Sequence, residues 1–150
     1  MQTLKFLLPT LVLLLVVSLS NAQNMDDYHR RMAEHHEAIR MKSEELMNGR
    51  AVNRNAYPDE MQRNIEGARR QQMDMQRGFT PAQRTIAQPY NDAIGKYHNN
   101  MLASNNSLRT ELAKPQPNEA LVKQYSGEIN KSAVGALEQH TQMKNKLGVK

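Results

Sequence analysis

The chain has no cysteine and no tryptophan, and only two phenylalanines among its 150 residues. Without cysteine there is no disulfide framework, no thiolate metal site, no thiol nucleophile and no thiol to carry a lipid. Strong apolar residues are also scarce. After Ala22, Leu, Ile, Val and Phe make up 17 of 128 residues, below the roughly 20% that borders on disorder. The seven glycines form no phosphate-binding loop, and no serine sits in a glycine-flanked elbow. Neither sign of charge dominates. The net charge of +5 comes from interspersed acids and bases without a long basic block, so nucleic acid is not an expected partner.

The one long apolar run, Phe6–Val17, is twelve residues, too short for the roughly 20 of a spanning helix. It follows the single charge of Lys5 and precedes Ser18–Ala22, with small residues Ser20 and Ala22 before a cleavage point. That is the layout of a signal peptide over residues 1–22. The expected location is periplasmic or secreted, with no stable membrane insertion, and the lack of disulfides favours a bacterial periplasm.

What is abundant is the helix-forming set Ala, Met, Glu, Gln, Lys and Arg. No segment alternates with a strand's two-residue period, so the expected fold is all-α with four helices. A first helix with its loop occupies 23–57, and a helical domain 58–150, whose core is a long antiparallel hairpin over about 81–147. Helix 1 should run from Met25 to Met47 and stop at Gly49. Helix 2 opens at Pro58-Asp59-Glu60, with its proline and acids at the positive end of the helix. Helix 3 begins with Phe79-Thr80-Pro81-Ala82-Gln83, a capping box with Phe79 as hydrophobic staple. Its stripe runs Ile86, Tyr90, Ile94, Tyr97, Met101, Leu108 and Leu112, through Pro89. Lys114-Pro115-Gln116-Pro117 turns the chain into helix 4 from Asn118. So thin a core points to paired helices completed by a second copy, a homodimer, rather than a compact globule.

The chemistry-bearing residues are histidine and methionine. His29 precedes Met32, His98 precedes Met101 and His140 precedes Met143, each by three residues, and His35 follows Met32 by three. On a helix, residues three apart share a face, so imidazole and thioether can meet one ion. That donor pair suits Cu(I) or Ag(I). The spacing resembles that of periplasmic silver- and copper-binding proteins of the SilE type. Core packing produces the same spacing, since methionine fills cores and helix stripes repeat every three or four residues. The compact candidate is His29, Met32, His35 and His36. Pairing the hairpin about its turn separates His98 and His140 by one heptad, about 10 Å, so those two should not share an ion. Only Asp26 and His29 form an acid-x-x-His pair, short of what a di-iron bundle needs. No nucleophile, base and orienting group come together in the pattern, and an enzyme is not expected.

The stretch 79–149 resembles the Spy/CpxP family of periplasmic chaperones and metal-stress adaptors, known for Leu-Thr-x-x-Gln motifs. Here the motif reads Phe79-Thr80-Pro81-Ala82-Gln83, followed by a long helix, a proline-bearing turn after Leu108–Leu112 and a second long helix from Asn118-Glu119-Ala120. Phenylalanine replaces the family's leucine, and a second motif after helix 4 is missing. The resemblance implies a curved hairpin that dimerises and holds unfolded or envelope protein clients without ATP, or reports stress to a membrane sensor. Two expectations therefore stand side by side: a chaperone-like or metal-stress adaptor, and a soft-metal buffer.

Overall fold

A computed structural model describes the backbone of residues 7–149 and the side chains of 25–149. Four helices follow one another: α1 (Leu7–Met47), α2 (Tyr57–Arg77), α3 (Pro81–Leu112) and α4 (Glu119–Leu147). The chain is all-α, as its periodicity implies. Helix α1 begins eighteen residues before the expected Met25, because Pro9 falls in the first turn, where proline is tolerated, and no glycine or proline follows it before Gly49. The signal-peptide reading of residues 1–22 falls on residues whose side chains, and for 1–6 also backbone, lie outside the described part. Among the described residues no helix is long and apolar enough to cross a membrane.

Each end is set by local chemistry. Helix α1 closes in a Schellman motif: Gly49, at φ 66°, sends its N–H to the Leu46 carbonyl, and Arg50 N–H reaches the Glu45 carbonyl at 2.8 Å. Only a residue free of a Cβ takes that left-handed angle without strain. Helix α3 starts with the full capping box. Thr80 Oγ1 accepts from Gln83 N–H at 3.3 Å while Gln83 Oε1 accepts from Thr80 N–H at 2.9 Å, with Pro81 at the first helical position. The α3–α4 turn is pinned by buried Glu111, which accepts from Asn118 N–H at 2.8 Å and from Lys114 Nζ at 2.6 Å. Those contacts, the Lys114 ammonium first, hold its carboxyl below the usual range.

The helices form a closed ring in which α1 packs on α2 and α4, and α3 packs on α2 and α4. Neighbours run antiparallel. The α1–α4 contact joins Asp26 to Lys144 at 2.8 Å near one end and Ser43 to Asn130 at 3.3 Å further along. The α2–α3 contact joins Asp59 to Arg109 and Gln72 to Asn91. The expected α3–α4 hairpin is present. One copy of the chain supplies all four sides of the bundle. Alanine and methionine make this possible: Ala68, Ala87, Ala133 and Ala136 let the backbones approach, and Met32, Met61, Met75, Met101 and Met143 fill the irregular space, all fully buried.

Two stripe assignments need correction. Ile86 is 44% exposed and Tyr90 only half-buried, while Ala87, Asn91, Ile94 and His98 face inward. Counting apolar residues put the α3 stripe one position off at its start, because polar Asn91 holds a place there through its hydrogen bond to Gln72. Phe79 packs beyond the α3 cap, in a cluster with Met25, Met32, Met75, Ala87 and Met143.

Candidate metal centre

Four of the five histidines are buried in the bundle interior: His29, His36, His98 and His140 are each 3% exposed or less. On α1, His29 and His36 are seven residues apart and therefore on one face. From α3 comes His98, and from α4 His140. They meet in two pairs. His29 Nδ1 bonds His140 Nε2, with rings stacked at 4.5 Å between centroids and 23° between planes. His36 Nε2 lies 2.8 Å from His98 Nε2, with rings tilted at 35°.

Each paired histidine has a buried methionine three or four residues away on its own helix. Met32 lies on α1 between His29 and His36, Met101 one turn from His98, and Met143 one turn from His140, all with no exposed surface. The apolar cluster at the His29 end also contains Met25 and Met75, which the His-x-x-Met spacing does not single out. Met25 is four residues from His29, a spacing that also shares a face. No feature of the sequence reveals that α2 turns Met75 toward the same end.

His35 does not join this group. It leaves the interior toward α2, where Nδ1 lies 2.9 Å from Asn64 Oδ1 and the imidazole presses on Gly67, leaving no room there for a Cβ. The compact candidate of His29, Met32, His35 and His36 is thus divided. A step of one residue on a helix turns the side chain by about 100°, so adjacent His35 and His36 cannot both face the axis.

Burial decides the electrostatics. It pushes the His29 imidazole down to about 4, helped by the Lys144 charge and opposed by Asp26. His98 falls to about 4 through burial and the nearby Arg69. His140 falls to about 3 through burial, His29 and Lys144. His36 is held well below its ordinary value by burial and by His98, His140 and His35. All four are neutral at pH 7, the form in which imidazole ligates metal.

The pairs leave donors unused. His29 Nε2, His36 Nδ1 and His98 Nδ1 are buried without a hydrogen-bond partner, an arrangement that costs about 1–3 kcal/mol per group. A metal ion can enter either pair only if the rings move apart. Ligating nitrogens sit ~2.0–2.1 Å from an ion such as zinc, so a shared ion needs the facing nitrogens ~3.3–4 Å apart, wider than either pair. Among the described residues no three His, Cys, Asp or Glu side chains assemble into a cation site. Any further ligand must come from the thioethers, which favour a soft ion.

Compared with known proteins, the chain matches no family model, no curated protein and no solved structure.

Proposed function

We propose that this protein binds a soft monovalent ion, Cu(I) or Ag(I), in the interior of its four-helix bundle, as an extracytoplasmic metal buffer. The observation that carries this reading is the pairing of four buried, neutral histidines inside a methionine-lined core. A bundle built for stability alone gains nothing from imidazole nitrogens buried without partners, and leucine at those positions avoids their cost. Thioether and imidazole together are the donors a soft ion selects. Binding exchanges a histidine–histidine hydrogen bond for a histidine–metal–histidine bridge, and the proton that the donor ring held between the two nitrogens moves to that ring's other nitrogen.

The chaperone-like or metal-stress adaptor proposal, and the Spy/CpxP resemblance with it, rests on the capping motif at Thr80 and the hairpin that follows. It calls for a client-binding apolar face, and among the described residues the large hydrophobics at the surface are Met41, Val52, Met73 and Ile86. The metal reading is preferred because it accounts for the interior. Titration of the purified protein with Ag(I), followed by NMR of the imidazole and methionine methyl groups, tests it. Submicromolar binding should shift His29, His36, His98, His140 and their neighbouring methionines and leave His35 in place. Weak shifts spread over exposed Met41 and Met73 would sink the proposal.

A further inference from the structure

Resting on that soft-metal reading, we propose that the bundle holds two ions at unequal depth, and that the inner His36–His98 site fills only through the outer His29–His140 site. The two pairs differ in how they sit among the helices. His29 and His140 belong to neighbouring helices, α1 and α4, so their pair lies behind a single helix–helix groove. His36 and His98 belong to α1 and α3, which do not pack on each other, so their pair lies on the bundle axis with helices on every side.

The groove at the outer pair is open. A surface cleft of about 320 Å³ has His29, Ala33 and His140 in its wall, and Asp26 and Lys144 beside them. Lys144 and Arg30 also line the cleft, each with its charge paired to a carboxylate: Lys144 to Asp26 at 2.8 Å and Arg30 to Glu34 at 2.6 Å. The pairs are also linked along α1, where Met32 lies between His29 and His36 on the same face of the helix. Imidazole, thioether and imidazole thus follow one another from the cleft to the axis. On this proposal an ion passing inward along α1 exchanges the outer imidazoles for the Met32 thioether and then for the inner imidazoles.

The test is stopped-flow and NMR with Ag(I) on the whole protein. Two ions should bind per chain, with His29 and His140 resonances moving in a fast phase and His36 and His98 in a slower one. His140→Leu should slow loading of the inner pair by about tenfold, since a lost intermediate donor raises the barrier. His98→Leu should leave one ion loading at the unmodified fast rate. A stoichiometry of one, a single common rate, or inner loading unaffected by His140→Leu overturns the two-depth scheme and leaves soft-metal binding standing. No Ag(I) binding at all overturns both. If His140→Leu fails to fold, the order of filling in the unmodified protein decides by itself.

Discussion

His36 and His98 touch across the diagonal of the bundle, 2.8 Å apart through their Nε2 atoms, although the helices that carry them do not pack on one another. Among the described residues this is the one side-chain hydrogen bond that joins α1 to α3. One ring must donate and the other accept, and each keeps a buried Nδ1 without a partner.

That arrangement makes the pair a poor stabiliser of the metal-free protein. His36→Leu or His98→Leu alone leaves the remaining imidazole with neither nitrogen bonded, and each should destabilise by about 1–3 kcal/mol. Replacing both removes every orphan at once, and the double variant should be more stable than either single one. Urea unfolding of the four proteins measures this. A double variant that loses the sum of the single losses would show that the pair is structural, and would weaken the metal reading with it.

Acid should unfold the metal-free protein early. The buried imidazoles have folded pKa values depressed from an unfolded value of about 6.5, to about 4 for His29 and His98 and about 3 for His140. The unfolded chain therefore takes up protons first as pH falls. Stability is fully present above pH ~6.5 and is lost as pH descends toward 4, by about 1.4 kcal/mol per proton and pH unit. The groups that face these rings act in both directions: Lys144 and Arg69 oppose protonation and Asp26 favours it, while His98, His140 and His35 oppose that of His36, and His29 that of His140. Circular dichroism against pH should give a midpoint above 4, moved to lower pH in the His36→Leu/His98→Leu protein. A midpoint that ignores that change would place the acid sensitivity in the carboxylates instead.

Helix identity, and every helix end with a capping signal, was legible in the sequence because these depend on neighbours along the chain, whereas the start of α1 carried no such signal. Gly49, Thr80 with Gln83, and Asn118 act through bonds no more than five residues long, so spacing alone reveals them. Which histidines would meet was not legible, since it depends on the ring order of four helices. The pairing of His29 with His140 spans 111 positions, and no local pattern encodes it. The spacing did mark Met32, Met101 and Met143 as companions of histidine. It could not separate His35 from His36, because the α1 stripe accommodates either until α2 claims one of them through Asn64. The composition also understated how much one copy of the chain can bury. Counting Leu, Ile, Val and Phe undervalues a core that alanine narrows and methionine fills.

The capping box at Thr80 offers a test of local stability separate from metal binding. Thr80→Ala removes the acceptor for Gln83 N–H and should lower stability by about 1 kcal/mol. Because Thr80 is exposed and remote from the imidazoles in sequence, Ag(I) affinity should stay within a factor of about two, a difference of less than ~0.5 kcal/mol. Thermal unfolding with and without Ag(I) reads both quantities. A large loss of affinity would tie the start of α3 to the interior site.

Two glycines of α4 should respond to alanine with opposite signs. Glycine inside a helix costs roughly 0.8–1.0 kcal/mol relative to alanine. At Gly127 an added Cβ meets nothing within 4 Å, so Gly127→Ala should raise stability by close to that amount. At Gly135 the same Cβ falls 2.5 Å from Tyr97 Cζ and 2.6 Å from Cε1. The α3 phenol lies flush on the α4 backbone and packs against the apolar cluster containing Ile129, Ala133 and Ala136. Overpacking of this kind costs typically ~1–3 kcal/mol, more than the helix preference returns, so Gly135→Ala should destabilise. In a Tyr97→Ala background the obstruction is gone, and Gly135→Ala should then stabilise as Gly127→Ala does. Differential scanning calorimetry of the two single variants and the double-mutant pair checks the signs. A rise in Tm for Gly135→Ala in the unmodified background would mean that Tyr97 swings clear, and that α3 and α4 are held apart by something other than this contact.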